Sequence, residues 1–288
     1  MTSACVAVLA AAVLCAAPPP WQALALGDPD TLPEPVAFEW TQRLPGFETG
    51  VLEARLSGQI VDRIHLVRVD PARYSFEARH DEQRPANIDA WQERLGALAV
   101  VNASFYQMDY SPETPMKEGG ALLGPRWRRT RHGAFVAGEG GADVVDLLGL
   151  DVQVALAPHR EAVVSYPLLL DASGKVRAVR NPNWIASRTF VAVDARKQIL
   201  LGTTETGFFS LRRLGLFLKA APLSLKVALN MDGGPPACMA VSAGGFKETL
   251  RGRWEGNDST GRFQMFWGAS EVDWPLPNVI AVVPRKKG

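Results

Sequence analysis

The apolar residues of this chain fall in short runs that turn residues interrupt, and no other feature constrains its fold as strongly. Within residues 51–79 the runs break at Ser57-Gly58 and at Asp70-Pro71, and these residue types are typical of turns. Residues 98–101 form an uninterrupted apolar run that ends at Asn102. Runs of this length with such boundaries predict β-strands.

The rest of the chain repeats this pattern. Residues 188–194 and 198–203 flank the turn at 195–197 and predict a hairpin. Residues 225–230 alternate apolar and other residues and lead straight into Asn230, as expected of a strand. Further runs that predict strands lie at residues 133–137, 144–148, 152–156, 166–170 and 279–283. The chain should therefore be rich in β-structure.

Two stretches indicate helices. Asn87 is a suitable N-cap for a short helix that ends near Gly96. Residues 211–218 carry leucines at helical spacing, and Pro222 ends that pattern. Because the predicted strands outnumber the helices and do not alternate with them, the sequence predicts a single α+β domain with a twisted, mixed or antiparallel sheet core and a few outer helices.

The N-terminus is typical of a targeting segment. Residues 6–17 are almost purely apolar but too short to span a bilayer. Ala23 and Ala25 fit a cleavage site, so residues 1–25 are expected to be a signal peptide and the mature chain to begin near Leu26. Residues 26–50 then form a Pro-rich N-terminal segment, and residues 51–288 form the domain. This predicts a periplasmic or secreted protein without a transmembrane anchor after cleavage.

Charge and cysteine content exclude some classes of protein. Lys and Arg number 31 against 30 Asp and Glu, which gives a net charge of +1 and argues against a nucleic-acid partner. Cys5 and Cys15 would leave with the signal peptide, so Cys238 alone remains and no intramolecular disulfide is expected. The oligomeric state stays open.

A strand that ends in an acidic glycine turn is the sharpest chemical feature. Residues 228–236 read Ala-Leu-Asn-Met-Asp-Gly-Gly-Pro-Pro. Glycines let backbone approach a ligand closely, prolines stiffen the turn, and such a loop can present amides and the Asp232 carboxylate to an anionic sugar. A tight turn in which Asp232 only caps its own backbone is the alternative.

Two other segments could share a cleft with this turn. Residues 102–106 read Asn-Ala-Ser-Phe-Tyr after a buried-type strand, where the amide of Asn102 could bind hydroxyls and the aromatic rings could stack on a sugar. Arg188-Thr189 begins a predicted strand, and a guanidinium can bind phosphate oxygens in bidentate fashion. A turn role for Asn102 and a surface ion pair for Arg188 are the respective alternatives.

Together these segments resemble the phosphodiester glycosidase family. That family typically has Asn-Gly-Gly-Phe-Phe, then Arg-Thr at a strand start, then Asn-Leu-Asp-Gly-Gly-Gly-Ser-Ser, and residues 102–106, 188–189 and 230–236 follow in the same order. Residues 165–174 and 277–280 resemble further segments of the family. Prolines stand at residues 235 and 236, and Ala103-Ser104 replaces a Gly-Gly pair, so side chains are expected where the family keeps bare backbone. A different substrate size and a loss of activity are the two alternatives that follow.

The resemblance implies hydrolysis of the bond between a sugar, N-acetylglucosamine-like, and a phosphodiester, with a phosphate-linked sugar or glycan as substrate. Asp232 near the anomeric carbon and Arg188 near the phosphate would suit the oxocarbenium-like transition state, and Asn102 completes the predicted catalytic set. If a second carboxylate acts, Glu118 or Glu205 is the candidate. A catalytically silent carbohydrate-binding protein is the alternative. The predicted substrate-binding residues are Phe105, Tyr106, Glu118, Thr189, Asn230, Gly233 and Gly234.

Other reactive residues are given structural roles. No histidine lies near Cys238 in the sequence to activate it as a nucleophile. The four histidines lack paired ligand spacing, so no zinc site or cofactor is predicted, whereas a structural calcium ion on loop carboxylates stays open. The basic cluster around Trp127 is expected to be a solvated loop, with contact to an anionic glycan or a membrane surface as the alternative; its members are Arg126, Arg128, Arg129 and Arg131.

Overall fold

The computed structural model describes residues 31–126, 132–179, 184–253, 255–257, 263–265 and 273–285. The signal peptide predicted over residues 1–25 lies outside the described residues, and so do residues 127–131 of the basic cluster. Strands make up 46% of the structure and helices 10%. The fold is therefore mostly β, which confirms the prediction of a β-sheet core with a few helices.

Twenty strands are named along the described part of the chain. They are β1 Glu34–Pro35, β2 Thr41–Leu44, β3 Phe47–Leu56, β4 Gln59–Val69, β5 Tyr74–His80, β6 Ala99–Asn102, β7 Met116–Glu118, β8 Ala121–Leu123, β9 Gly133–Gly138, β10 Gly141–Asp146, β11 Glu161–Ser165, β12 Leu168–Leu170, β13 Thr189–Asp194, β14 Ile199–Thr204, β15 Leu225–Asn230, β16 Met239–Ala243, β17 Phe246–Leu250, β18 Glu255–Asn257, β19 Phe263–Met265 and β20 Asn278–Pro284.

These strands form curled antiparallel sheets. The largest has the order β1-β3-β4-β14-β13-β15-β12, with β2 paired to β3, and two five-stranded sheets have the orders β10-β9-β11-β7-β8 and β17-β16-β6-β20-β5. Every pairing between the described strands is antiparallel. The antiparallel form of the prediction is thus the one found.

The predicted strand breaks are confirmed by this topology. The turns at Ser57-Gly58 and Asp70-Pro71 separate β3, β4 and β5, and β13 pairs with β14 as the predicted hairpin. The main core lies between the sheets, where residues such as Phe135 and Leu229 are fully buried. A second core lies between the large sheet and helix α3, Leu211–Ala220.

The helices α1, Ile88–Leu95, and α3 are the two predicted ones. The Asn87 side chain accepts a hydrogen bond from the amide of Ala90, and Gly96 adopts the left-handed conformation, with φ 57°, that ends α1. For residues 152–156 the strand prediction was wrong. They form α2, Val152–Leu156, because the Asp151 side chain accepts from two backbone amides and caps a helical turn.

Two boundaries differ from the predicted ones. The strand expected at residues 144–148 is β10, Gly141–Asp146, because its turn with β9 falls at Gly138 to Gly141. Sheet structure also begins before residue 51, since β1 and β2 both pair with β3. Within the described ranges, none of the helices is long and apolar enough to cross a membrane.

Candidate active site

The acidic turn lies where the ends of strands from two sheets meet. Strand β15 of the large sheet ends at Asn230, and the chain then passes the end of β6 and the start of β13. The amide of Asp232 donates to the carbonyl oxygen of Ala103, 3.1 Å away, and the amide of Gly234 donates to that of Ser187 at 2.9 Å. Backbone hydrogen bonds thus join the three segments that the sequence singled out.

Asn102 holds this turn with its side chain. Its Nδ2 donates to the carbonyl oxygens of Asp232, at 2.8 Å, and Ala103, at 3.3 Å. Its Oδ1 accepts from the amide of Cys238 at 3.1 Å. The residue is 1% exposed. Because its polar atoms are engaged with backbone, Asn102 positions the Asp232 turn from within the protein.

Arg188 is a second buried side chain next to the turn. Its Nε donates to the carbonyl oxygen of Phe209 at 3.1 Å and its Nη2 to that of Trp184 at 2.9 Å. A Cβ atom placed on Gly233 would lie 3.0 Å from Nη1 of Arg188. The guanidinium is therefore buried next to the turn, and a bare backbone at residue 233 makes room for it.

The Asp232 carboxylate is half-buried, and one of its oxygens stabilises the turn. Oδ1 accepts from the amide of Gly233 at 2.9 Å, and Gly234 has a φ of 71°, which favours glycine. The capping role weighed from the sequence is therefore present.

Aromatic side chains lie close to this turn. Phe105 stacks on Tyr166 with ring centroids 4.5 Å apart, and the Tyr106 hydroxyl accepts a hydrogen bond from the indole of Trp274. Burial raises the pKa of Tyr106 well above its ordinary value; the Trp274 bond lowers it, and the charge of Asp232 raises it. Tyr106 is therefore a neutral phenol within electrostatic reach of Asp232.

Thr189 and Asn230 are buried in the sheet beside the turn. The Thr189 hydroxyl lies 3.3 Å from that of Thr203 on β14. The Asn230 Nδ2 donates to the carbonyl oxygen of Tyr166 at 3.0 Å, while its buried Oδ1 has no hydrogen-bond partner among the described residues. Both side chains thus support the strands from which the turn emerges.

The two candidate second carboxylates have other partners. Glu118 accepts from Arg79 at 3.3 Å and from the amide of His80 at 3.0 Å, at the end of β5. Glu205 lies 3.4 Å from Arg63 and 3.5 Å from His65. Glu205 follows β14 directly, and the neighbouring Thr204 amide donates to the Arg188 carbonyl. Of the two, Glu205 is thus linked through the backbone to a predicted site residue.

Several contacts of the site could not be read from the sequence. Trp274 lies outside the predicted motifs, and although Tyr166 falls within residues 165–174, no spacing in the sequence links either residue to Tyr106 or Phe105. Gly252 is a further case, since a Cβ atom there would lie 2.2 Å from the carbonyl oxygen of Gly234. To find these contacts, one would need to know which pairs of distant residues lie close together in the fold.

Cys238 packs against the turn, whereas a cavity elsewhere in the described structure is lined by other residues. Cys238 is buried, with its Sγ 3.5 Å from the carbonyl oxygen of Pro235. In the part of the chain that the structure describes, no group of three His, Cys, Asp or Glu side chains could share a metal ion. A cavity of about 310 Å³ is lined by Lys117, Arg126, Leu122 and α2 rather than by predicted site residues.

A mostly β protein of curled antiparallel sheets, with an acidic glycine turn at the junction of strand ends, is the class that this fold and site define. The sequence model of the family described as phosphodiester glycosidase matches residues 95–283. That range covers the Asn102, Arg188 and Asp232 segments. The chain belongs to the phosphodiester glycosidase family, which confirms the resemblance seen in its motifs.

Solved structures share the fold at low identity. The catalytic domain of zebrafish N-acetylglucosamine-1-phosphodiester alpha-N-acetylglucosaminidase, auto-inhibited by its pro-peptide, has a TM-score of 0.62 and 15% identity over 88% of this chain and 89% of that one. A hypothetical protein from Synechocystis has a TM-score of 0.60 and 14% identity over 87% and 64%. A Burkholderia pseudomallei protein named as an exported protein has a TM-score of 0.52 and 12% identity over 77% and 74%. None of the curated proteins compared with the sequence matches it.

Proposed function

We propose that this protein is an exported hydrolase that cleaves the glycosidic bond between a sugar, N-acetylglucosamine-like, and a phosphodiester. The observation that carries the proposal is the convergence of Asn102, Arg188 and Asp232 on one turn, through the 2.8 Å bond from Asn102 to the Asp232 carbonyl and the approach of Arg188 to Gly233. The name of the zebrafish neighbour describes the same reaction class.

Asp232 is the group proposed to act at the anomeric carbon. Cleavage breaks the bond between that carbon and the phosphate oxygen, and the phosphate leaves with the bonding electron pair. A water molecule supplies the oxygen and proton of the new sugar hydroxyl, and its other proton goes to the departing phosphate. The transition state has oxocarbenium character, so a nearby carboxylate stabilises it. Since Asp232 is half-buried and its Oδ1 is held by the Gly233 amide, the carboxylate is fixed before substrate binds.

Arg188 supplies positive charge beside this carboxylate. Its Nε and Nη2 donate to backbone carbonyls, which leaves the charge in place because a guanidinium does not lose its proton in proteins. A fixed cation stabilises the departing phosphate electrostatically without having to rearrange. Phe105 and Tyr106 are proposed to contact the sugar face, and Glu118 or Glu205 would supply a second carboxylate if one acts.

A silent carbohydrate-binding protein is the second candidate. The observation in its favour is burial: Asn102, Arg188, Thr189 and Asn230 are each at most 3% exposed. Such residues could maintain a cleft without contacting a ligand. The two candidates differ in one measurable property, which is turnover.

The test is the release of free sugar from UDP-N-acetylglucosamine by the mature protein and by Asp232→Asn. Asparagine keeps an oxygen that can accept from the Gly233 amide, so the turn should persist while the charge is lost. Asp194→Asn is the matched control, because Asp194 is a buried carboxylate at the far end of β13 that also accepts from backbone amides, those of Arg196 and Gln198.

Turnover by the wild type and by Asp194→Asn, together with a loss of about 10²- to 10³-fold in Asp232→Asn, is the expected result. Binding of the sugar nucleotide by all three proteins without sugar release would favour the silent carbohydrate-binding protein. Equal turnover in all three would remove Asp232 from the mechanism.

Export is part of the proposal. Residues 1–25 have the composition of a signal peptide, and one structural neighbour is named as an exported protein. N-terminal sequencing of the protein recovered from the periplasm or medium should begin near Leu26. Recovery of the unprocessed chain from the cytoplasm would contradict export.

A further inference from the structure

A buried carboxylate outside the site is connected to it through one loop. We propose that Asp62 is a positioning residue that fixes loop 205–209, so that the Phe209 carbonyl oxygen orients Arg188 against the Asp232 turn. The inference rests on the proposed function of that turn. It concerns a residue on β4, in a part of the sequence without any motif.

Asp62 binds the loop through its backbone amides. Its Oδ1 accepts from the amide of Thr206 at 2.9 Å and from that of Arg63 at 2.8 Å, and its Oδ2 accepts from the amide of Phe208 at 3.3 Å. The residue is 2% exposed. Burying a carboxylate is costly unless hydrogen bonds compensate, so both oxygens are committed to the loop.

A second buried charge holds the same loop from α3. Arg213, also 2% exposed, donates from Nη1 to the carbonyl oxygen of Phe208 at 3.2 Å, and its guanidinium lies over the Phe208 ring at 4.6 Å. The Phe208 amide thus donates to the Asp62 side chain, and the Phe208 carbonyl oxygen accepts from the Arg213 guanidinium. Two buried side chains on two elements therefore hold one peptide segment by hydrogen bonds to its amide and its carbonyl oxygen, which leaves its neighbour Phe209 little freedom.

Phe209 transmits this constraint to Arg188. Its carbonyl oxygen accepts from Nε of Arg188 at 3.1 Å. The Thr204 hydroxyl adds a second link, because it accepts from the Arg188 amide at 2.8 Å and donates to the carbonyl oxygen of Thr206 at 2.9 Å. The position of the guanidinium therefore depends on a loop that Asp62 anchors.

A merely structural Asp62 would affect stability but not Arg188. Asp62→Asn distinguishes the two roles, because asparagine keeps one acceptor oxygen and turns an N–H donor toward the Phe208 amide. That donor–donor contact should displace Phe208 and Phe209 while the rest of β4 stays paired. A shift of about 1 Å in a positioned group can lower a rate by about 100-fold.

The experiment combines a spectroscopic and a kinetic readout on the mature protein. The Nε–H resonance of Arg188, assigned by its loss in Arg188→Lys, should shift and exchange faster with water in Asp62→Asn and stay unchanged in Asp194→Asn. With UDP-N-acetylglucosamine, kcat should fall about 10- to 100-fold in Asp62→Asn, with a smaller change in KM. The control should keep the wild-type kcat.

An unchanged Arg188 resonance in folded Asp62→Asn overturns the inference, and so does a shifted resonance with wild-type kcat. If the wild type releases no sugar, the proposed function fails, and the resonance alone then decides whether Asp62 positions Arg188. If Asp62→Asn does not fold, Thr204→Val tests the same loop. It removes the hydroxyl that joins Arg188 to Thr206, and an unmoved Arg188 resonance there also overturns the inference.

Discussion

Replacing Asn102 with alanine tests whether the Asp232 turn depends on one buried amide. The side chain donates to the carbonyl oxygen of Asp232 at 2.8 Å and accepts from the amide of Cys238 at 3.1 Å. Alanine removes these two bonds, and also the longer one to the Ala103 carbonyl oxygen at 3.3 Å, at a position that is 1% exposed, where water has little access. The Asp232 carbonyl and the Cys238 amide would each lose a partner.

The expected cost follows from those two groups. A buried polar group left without its partner costs about 1–3 kcal/mol, so the free energy of unfolding should fall by about 2–6 kcal/mol. This is a large part of the roughly 5–15 kcal/mol of a typical domain. Asn102→Asp should also be destabilised at neutral pH, because its carboxylate would face the carbonyl oxygens of Asp232 and Ala103.

Urea unfolding followed by tryptophan fluorescence measures this change. Asn87→Ala is the matched control, since it removes the N-cap bond to Ala90, far from the turn, and should cost about 1 kcal/mol with wild-type sugar release. Asn102→Ala should lose sugar release as well as stability. A loss of less than about 1 kcal/mol in Asn102→Ala, or full activity in it, would refute the idea that Asn102 holds the turn.

Two further predictions concern residues outside the turn. Burial lowers the pKa of His65, but the hydrogen bonds and charges of Glu248 and Glu205 outweigh it and raise the net pKa above the ordinary 6.5. The stability that protonated His65 contributes is thus complete below pH 6.5 and is lost as the pH rises through the folded-state pKa. The difference in the free energy of unfolding between wild type and His65→Gln, measured in urea, should therefore shrink from pH 6 to pH 8. A constant difference would contradict this. Burial raises the pKa of Cys238 to about 11, so iodoacetamide at pH 8 should modify it only in urea, and rapid labelling of the folded protein would show that the thiol is accessible.

The strands could be predicted because their boundaries are local. Turn residues such as Ser57-Gly58 separate apolar runs, and those runs became β3 and β4. Residues 152–156 show where this reasoning fails, since a five-residue segment that is apolar except for Gln153 fits a strand or a helix, and the Asp151 cap favours the helix. Sheet order depends on contacts between distant residues, which no single run contains.

The convergence of the three segments was predictable where several motifs agreed. Asn102 and Asp232 follow strand ends and Arg188 stands at a strand start, in the order typical of the family, and the structure brings the three segments together. Their detailed roles were not predictable, because a motif does not show that Nε and Nη2 of Arg188 face backbone carbonyls. Nor does any motif include Asp62, whose link to Arg188 passes through a loop.

The prolines at 235 and 236 show how the turn accommodates a departure from the family pattern. Both are buried, and the chain beyond β17 covers them at Gly252, whose amide donates to the Cys238 Sγ at 3.5 Å. A Cβ atom on Gly252 would lie 2.2 Å from the Gly234 carbonyl oxygen and 2.3 Å from that of Pro235. The family has glycine at this point of the turn, whereas here the glycine is Gly252, on the segment that packs against the turn. Because proline fixes its own φ, this arrangement stiffens the turn from its covered side and leaves the Asp232 carboxylate on the half-exposed one.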